Sequence, residues 1–333
     1  MMPSSSLLSR GALAGSLFAQ AALAYTQVNY PSPFMTKNID PIIFPGAYDK
    51  SHLHSFFGAD GVTANTKKSE ELQKSCTNAD NPNDLSVYWV PTLLYTKDAG
   101  KTYEPVPVSR FTAYYNLGED PAEVAIPQNL TMVAGDAQAK TAAEMPAGAK
   151  VQWMCESEKT GFPADRNGWP SKTCSTHLQT LLYFPQCVNV ETLKTAYKDR
   201  SHGTQNWCPQ DMKRMPQLRF SIRYDLRRVL PQGWDGEAPL RQACGSNIYC
   251  SHGDFINGWT PKAAENMIAT TNDKRKYSAV DGERGKAGEK QTCKQKDADP
   301  GHGTSDYAQS VKVMTKRSVE AAGWTSRSRM LKI

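Results

Sequence analysis

Nine residues in the second half of the chain alternate between apolar and polar side chains. The run extends from Leu218 to Leu226 and reads LRFSIRYDL, with an apolar residue at every second position. Side chains two residues apart in an extended strand point to the same face, so the run has one apolar and one largely charged face. It therefore predicts a strand that packs on a core with one side and meets solvent with the other.

Short apolar runs of the same kind recur along the chain, rich in β-branched and aromatic residues and bounded by Gly, Pro, Asn or Asp. They lie at 87–90, 92–95, 106–108, 111–115, 130–133, 151–155 and 178–184. Helical periodicity is weak before residue 260. This pattern predicts a mainly β fold, an antiparallel, jelly-roll-like β-sandwich with long loops clipped by disulfides and few short helices. A mixed α+β fold is the alternative.

The first 24 residues have the pattern of a secretory signal peptide. Arg10 is their only charge, an apolar stretch follows, and Ala22-Leu23-Ala24 offers a cleavage site. The apolar stretch is too short for a membrane span, and no later run approaches that length. All eight cysteines follow the leader, which predicts up to four disulfides of undetermined pairing. We expect a secreted monomer, with the cell wall as a further location and Asn129-Leu130-Thr131 as a glycosylation sequon.

The rest of the chain divides into a body and a basic tail. No linker interrupts residues 25–265, which we expect to form one β domain. Residues 260–333 carry fifteen Lys and Arg against nine Asp and Glu, which accounts for the whole net charge of +6. With few large apolar residues, the segment 266–333 is expected to be a flexible tail. A charge-neutral body in an exported chain argues against a nucleic-acid partner.

Two histidine motifs lie about two hundred residues apart. The first, residues 51–58, reads SHLHSFFG, and the second, residues 251–259, reads SHGDFINGW. In each motif two polar residues flank a single spacer and precede aromatic residues, so in a strand each pair points to one face. Three imidazoles and a carboxylate converging on one pocket suit a divalent transition metal or acid/base catalysis. The alternative is that the histidines only form structural hydrogen bonds.

Several sequence blocks resemble the DUF1996 family, a group of secreted fungal and bacterial domains of unknown function. In order, the blocks lie at 40–42, 51–58, 88–93, 114–115, 134–136, 153–155, 184–187 and 251–259. Some fungal members also carry a carbohydrate-binding WSC module, so the resemblance implies a cell-wall or polysaccharide setting. After Cys187 the chain departs from the family pattern, and Asp199-Arg200-Ser201-His202 retains only part of an Asp-His-x-Ser-His run.

We therefore expect the protein to act on, or bind, an extracellular polysaccharide. The predicted catalytic residues are His52, His54, His252 and Asp254, and the predicted metal ligands are His52, His54, His252 and His202. Aromatic side chains stack on sugars and arginines neutralise uronates, which predicts a substrate-binding set of Phe57, Trp89, Tyr115, Arg223 and Trp259. Arg110 and Arg219 are further arginines with the same potential role. A glycoside hydrolase or lyase is the enzymatic interpretation, and a non-catalytic carbohydrate-binding or structural cell-wall or stress-related protein is the alternative.

Overall fold

The computed structural model describes residues 25–117, 122–156, 168–269 and 279–315; the predicted leader lies outside these ranges. The described chain is built mainly of short strands. The strands are β1 (Thr26–Tyr30), β2 (Met35–Lys37), β3 (His54–Gly58), β4 (Val87–Pro91), β5 (Leu93–Tyr95), β6 (Glu104–Pro105), β7 (Val108–Tyr115), β8 (Thr131–Gly135), β9 (Lys150–Cys155), β10 (Leu178–Tyr183), β11 (Cys187–Val188), β12 (Thr195–Ala196), β13 (Lys213–Arg214), β14 (Leu218–Tyr224), β15 (Leu240–Gln242) and β16 (His252–Ile256).

The helices among the described residues are few and short. The α-helices are α1 (Ser69–Leu72), α2 (Leu226–Val229) and α3 (Pro261–Asn266), residues 307–315 are helical as well, and 3-10 turns occupy Tyr48–Lys50, Ala142–Glu144, Arg200–His202 and Met267–Ala269. The predicted mainly β class is therefore confirmed. None of the described helices has the length and apolar character that crossing a membrane requires.

Two five-stranded antiparallel sheets form the body of the fold. Sheet 1 has the order β1-β7-β14-β10-β9, and sheet 2 has the order β2-β3-β4-β16-β8. Two small three-stranded sheets, β12-β11-β13 and β15-β5-β6, lie beside them. The predicted alternating strand becomes β14, the central strand of sheet 1, with its apolar residues buried and Arg219 and Arg223 half-exposed.

The inner faces of the two large sheets pack against each other through aromatic side chains. Phe57 of sheet 2 stacks on Phe111 of sheet 1, with ring centroids 4.2 Å apart and planes inclined by 11°. Tyr88 of sheet 2 contacts both Phe111 and Phe220 of sheet 1. Every second residue of the central strands thus enters one shared core, which is what period-two alternation provides.

The outer face of sheet 2 is buried as well. Phe56, Trp89 and Ile256 lie on this face and join a second apolar cluster with Ile39 and residues of the segment 59–72. As a result β3, β4 and β16 are buried along their whole length. Sheet 2 is therefore an internal layer, and polar residues on its outer face are withdrawn from solvent.

Four disulfides close the loops, as the even cysteine count predicted. They join Cys76 to Cys293, Cys155 to Cys174, Cys187 to Cys208 and Cys244 to Cys250. The first of them connects the body to the C-terminal segment across 217 residues.

The expectation of a free tail from residue 266 is wrong for its described part. Met267 and Val280 are buried in the main core, and the Lys37 ammonium pairs with the Asp297 carboxylate at 2.6 Å. Further along, Asn38 Oδ1 accepts a hydrogen bond from the Thr304 amide. Polar contacts and one disulfide hold this segment, which is why its low apolar content was misleading. We call residues 279–304 the strap; residues 316–333 lie outside the described residues.

Candidate metal centre

Three histidines meet on the outer face of sheet 2. In the register of the sheet, His54 lies opposite Pro91. Two residues earlier on the same strand, Trp89 lies opposite Phe56 on one side and Asp254 on the other. His252 precedes Asp254 by two residues, so both histidine motifs present their polar residues on this same face. His54 and His252 thus flank Pro91 from the two neighbouring strands. His52 lies just before β3, with its ring centroid 4.2 Å from that of His54 and 5.0 Å from that of His252.

The hydrogen bonds of His54 and His252 fix where their ring protons are. Nδ1 of His54 lies 3.0 Å from the Ile39 carbonyl oxygen, and Nδ1 of His252 lies 2.8 Å from the Cys250 carbonyl oxygen. A carbonyl only accepts, so each Nδ1 carries the proton and donates it. In the neutral rings each Nε2 is then an unprotonated nitrogen with a free lone pair.

These two lone pairs face each other. The Nε2 atoms of His54 and His252 are 3.3 Å apart, which in the neutral rings places two acceptors in contact without a proton between them. Burial and the charge of the neighbouring imidazole lower the pKa of His54 well below its usual value, and burial lowers the pKa of His252 to about 4. Both rings are therefore neutral near pH 7. A cation between the two nitrogens would relieve this contact.

The third nitrogen completes a set of donors. Nε2 of His52 is buried without a hydrogen-bond partner among the described residues, and the ligand atoms of His52, His54 and His252 all lie within 4.8 Å of one another. Two nitrogens bound to a tetrahedral zinc at about 2.05 Å are roughly 3.4 Å apart, which matches the His54–His252 separation. His52 is the one partly exposed residue of the three, although its Nε2 atom is itself buried.

A buried carboxylate lies beside the cluster. Asp254 Oδ2 is 3.8 Å from His252 Nε2, and neither carboxylate oxygen of Asp254 has a hydrogen-bond partner among the described residues. Burial, with repulsion from Asp40, raises the pKa of Asp254 well above its usual value. Asp40 is buried too and accepts hydrogen bonds from the amides of Ile42 and Ile43. A divalent cation would balance the charge of these carboxylates.

Two glycines allow the second motif to reach its position. A Cβ atom on Gly253 would lie 2.8 Å from Phe220 Cε2, so the residue between His252 and Asp254 must be small for the two sheets to pack closely. Gly135, which pairs with His252 from β8, has φ of +86° and approaches the Ser251 carbonyl too closely for a side chain. The spacer residues therefore serve the fold while the flanking residues form the site.

Four of the five predicted substrate-binding residues belong to the core instead. The side chains of Phe57, Trp89, Tyr115 and Trp259 are completely buried, so none presents a ring face to a sugar. The prediction is wrong for these residues because Phe57, Tyr115 and Trp259 face the core between the two sheets, whereas Trp89 lies under the cover on the outer face of sheet 2. The fifth, Arg223, lies on the outer face of sheet 1 and pairs with Glu156. Since the inner faces of the two sheets pack together, Arg223 is on the far side of the sandwich from the histidines.

Tyr115 and Trp259 belong to a hydrogen-bond network around a buried carboxyl. Oη of Tyr30 and Oη of Tyr88 both donate to Asp84 Oδ2, at 2.5 and 2.7 Å. The Tyr88 and Tyr115 hydroxyls are 2.6 Å apart, and Trp259 Nε1 donates to Tyr115 Oη. Burial raises the pKa of Asp84 to about 6 despite these donors. The network gives the aromatic core a defined polar centre.

His202 does not join the histidine cluster. It is exposed in the 3-10 turn Arg200–His202, where its Nε2 lies 3.4 Å from the Tyr197 carbonyl oxygen, whereas the cluster is enclosed. The prediction of His202 as a metal ligand is therefore wrong. Asn129 of the sequon lies in an exposed turn, and its glycosylation stays a prediction.

Sequence reasoning missed the groups that orient the site. The carbonyls of Ile39 and Cys250 hold the rings, and backbone atoms leave no residue-type signal. Trp89 lies opposite Asp254 in the sheet, and its buried indole Nε1 has no hydrogen-bond partner among the described residues. Its ring stacks on Phe56 within the core.

Comparison with known proteins places this site in a family. The model of a domain of unknown function, DUF1996, matches residues 40–259. The chain belongs to the DUF1996 family. The DUF1996 match includes all three histidines, Asp40 and Asp254, whereas β1, β2 and the strap lie outside it. No curated protein and no solved structure matches the chain.

Proposed function

We propose that this DUF1996 protein binds a divalent transition metal through Nε2 of His52, His54 and His252. The 3.3 Å contact between two Nε2 atoms, whose protons are held at Nδ1 by backbone carbonyls, carries the proposal. Metal-bound histidines commonly donate their other nitrogen to a carbonyl or carboxylate, which orients the ring. Three imidazoles with a nearby carboxylate suit zinc best, with copper, manganese and non-haem iron as further ions.

We further propose that the centre acts hydrolytically on an extracellular polysaccharide. Three protein ligands leave a coordination position for water, and a bound ion supplies Lewis-acid polarisation and a lowered pKa of that water. His52 is the one partly exposed residue of the three and marks the side on which water would enter. The disulfides fit an oxidising compartment, and the predicted leader supports export.

A structural metal site is the second candidate. His54 and His252 are buried, and the aromatic residues around them are core residues, which favours an ion that fastens the loop bearing Ile39 to sheet 2. In this case the ion, held by β3, by β16 and by His52 just before β3, stabilises the fold, and the protein has no turnover.

The test is metal analysis of the purified mature chain followed by a screen for released reducing ends. We expect about one equivalent of metal in the wild type, none in His54→Ala, and an unchanged amount in His202→Ala, the matched control. Metal-dependent release of sugars supports the hydrolase. Metal without products, together with a lower melting temperature after chelation, supports the structural site. A metal content that His54→Ala leaves unchanged contradicts both.

A further inference from the structure

The outer face of sheet 1 carries a regular array of arginine and tyrosine side chains. Where the strands pair, Arg219 of β14 lies between Tyr114 of β7 and Tyr183 of β10. The Arg219 guanidinium is 4.4 Å from the Tyr114 ring centroid and 5.7 Å from that of Tyr183. All three side chains are half-exposed, so a ligand can reach this row.

A second cationic row crosses the same face four residues further along β14. There Arg223 lies directly opposite Arg110 of β7. Like charges directly opposite each other on neighbouring strands destabilise a sheet unless something neutralises them. Glu156 pairs with Arg223 and also accepts from His177, which leaves the Arg110 guanidinium without a carboxylate among the described residues.

The inner part of the arginine side chains lies against the sheet. The Nε atoms of Arg219 and Arg223 are buried and have no partner among the described residues, so contact with a ligand falls to the terminal nitrogens of the guanidiniums. Lys150, next to Tyr183 in the register, adds a further positive charge at the end of the first row. Among the acidic residues near this face, Glu156 is paired with Arg223 and His177. Both carboxylate oxygens of Asp80 accept hydrogen bonds from Asn29 at the β1 edge. The face is therefore cationic overall.

We propose that this face, defined by Arg110, Tyr114, Tyr183, Arg219 and Arg223, binds an acidic polysaccharide through its carboxylates. Planar guanidinium groups match carboxylates geometrically, and tyrosine rings and stacked guanidiniums offer flat surfaces to sugar rings. Arg219 and Arg223 are four residues apart on one strand, roughly 13 Å along it. A ligand that contacts both rows is therefore a polymer of several units and not a single sugar.

The binding face is separate from the histidine centre. The inner faces of sheets 1 and 2 pack together, so the arginine rows and the histidines lie on opposite sides of the sandwich. The inference shares only the polysaccharide partner with the proposed function and rests on a different surface. It assigns this surface a role in retaining the protein on an anionic polymer.

Titration calorimetry of the full mature chain with polygalacturonate tests the proposal. We expect binding that weakens with added salt, and at least a tenfold lower affinity for Arg219→Ala and for Arg110→Gln. Lys68→Ala removes one exposed charge elsewhere and is the matched control, with unchanged affinity expected. The readout is affinity and not metal content or released sugars, which separates this test from that of the metal centre.

Neutral glucan, dextran sulfate and duplex DNA serve as comparison ligands. Weaker binding to all three than to polygalacturonate supports recognition of a carboxylated sugar chain. Absence of polygalacturonate binding at low salt, or equal losses in Lys68→Ala and Arg219→Ala, overturns the proposal. Tighter binding of dextran sulfate or DNA also overturns it, in favour of general attraction to polyanions. Circular dichroism and melting curves check that each variant folds, and Arg110→Gln, which removes no stacking contact, guards against misfolding of Arg219→Ala.

Discussion

Nε2 of His54 and Nε2 of His252 lie 3.3 Å apart although the two residues are 198 positions apart in the chain. Added metal should therefore stabilise the fold, because an ion bound only by the native state shifts the unfolding equilibrium. At an ion concentration one hundred times Kd the gain is about 2.7 kcal/mol. Differential scanning fluorimetry with and without Zn²⁺ measures it. His202→Ala should retain the shift; a shift of equal size in His54→Ala would place the ion elsewhere.

Asp254→Asn should separate metal affinity from the stability of the metal-free protein. Asparagine retains the volume but removes a carboxyl group whose charged form is disfavoured by burial and by Asp40, so the metal-free variant should be at least as stable as the wild type. Its metal affinity should fall roughly tenfold or more, as for other residues that support metal ligands. Urea unfolding of the chelated protein and a competition titration measure the two quantities. A variant that is less stable but retains full affinity would assign Asp254 a purely structural role.

The buried Asp84 carboxyl should make stability depend on pH. Its pKa is raised to about 6 in the folded state, from 3.8, so the native state binds the proton more tightly than the unfolded state. The resulting stabilisation is complete below pH 3.8 and is lost as the pH rises to about 6. It amounts to about 3 kcal/mol, since one pKa unit corresponds to about 1.36 kcal/mol.

Asp84→Asn tests this assignment because asparagine does not titrate. The free energy of unfolding, measured by urea denaturation at several pH values, should decrease less between pH 4 and pH 7 in the variant than in the wild type. The slope is the informative quantity, because the amide also places a donor near the Ser86 amide that now donates to Asp84 Oδ1. Identical slopes in the two proteins would show that other groups cause the pH dependence.

Loss of the Cys76–Cys293 disulfide should cost more stability than loss of Cys155–Cys174. The first closes a loop of 217 residues and the second one of 19, and a longer loop leaves more entropy in the unfolded chain when the link is cut. The expected cost is about 3 kcal/mol for the shorter loop and more for the longer. Urea denaturation of variants in which both cysteines of a pair are replaced by serine measures this cost. Protease cleavage of the strap should increase only in the first variant; a strap that resists cleavage would show that its polar contacts suffice.

Gly253→Ala should destabilise the protein and weaken the metal site together. The new methyl group would meet Phe220 at 2.8 Å, so β16 must move outward, at a cost of about 1–3 kcal/mol. Its neighbours His252 and Asp254 would move with it. Gly301→Ala is the control because open space surrounds that position. Urea denaturation and metal titration of both variants measure the two effects. Unchanged metal binding in Gly253→Ala would show that the site tolerates the shift.

Local patterns in the sequence were enough to predict the β class and to predict that His52, His54 and His252 lie close together. Alternation shows which side chains share a face, and duplicated spacing shows which faces carry donors. Alternation does not show whether a face meets solvent. The segment 59–72 covers the outer face of sheet 2. Trp89, which was predicted to stack on a sugar, is therefore buried.

The strap shows the same limit for charged segments. Lys37 is buried and paired with Asp297, a contact across 260 residues that no local pattern contains. Composition described the segment as solvated, whereas specific ion pairs, backbone contacts and one disulfide decide its position. The arginine rows on sheet 1 likewise became visible only when the strand register was known.

The residues matched by the family model would not form a complete fold if they were produced as a separate fragment. A protein trimmed to residues 40–259 would lose β1 and β2, each of which forms one edge of a large sheet. The next strands, β7 and β3, would then expose unpaired amides and carbonyls, which are templates for intermolecular pairing. Cys76 would also be left as a free thiol, able to link two copies. Recombinant fragments with these boundaries should precipitate or form covalent dimers, while chains that include residues 25–304 should stay dispersed.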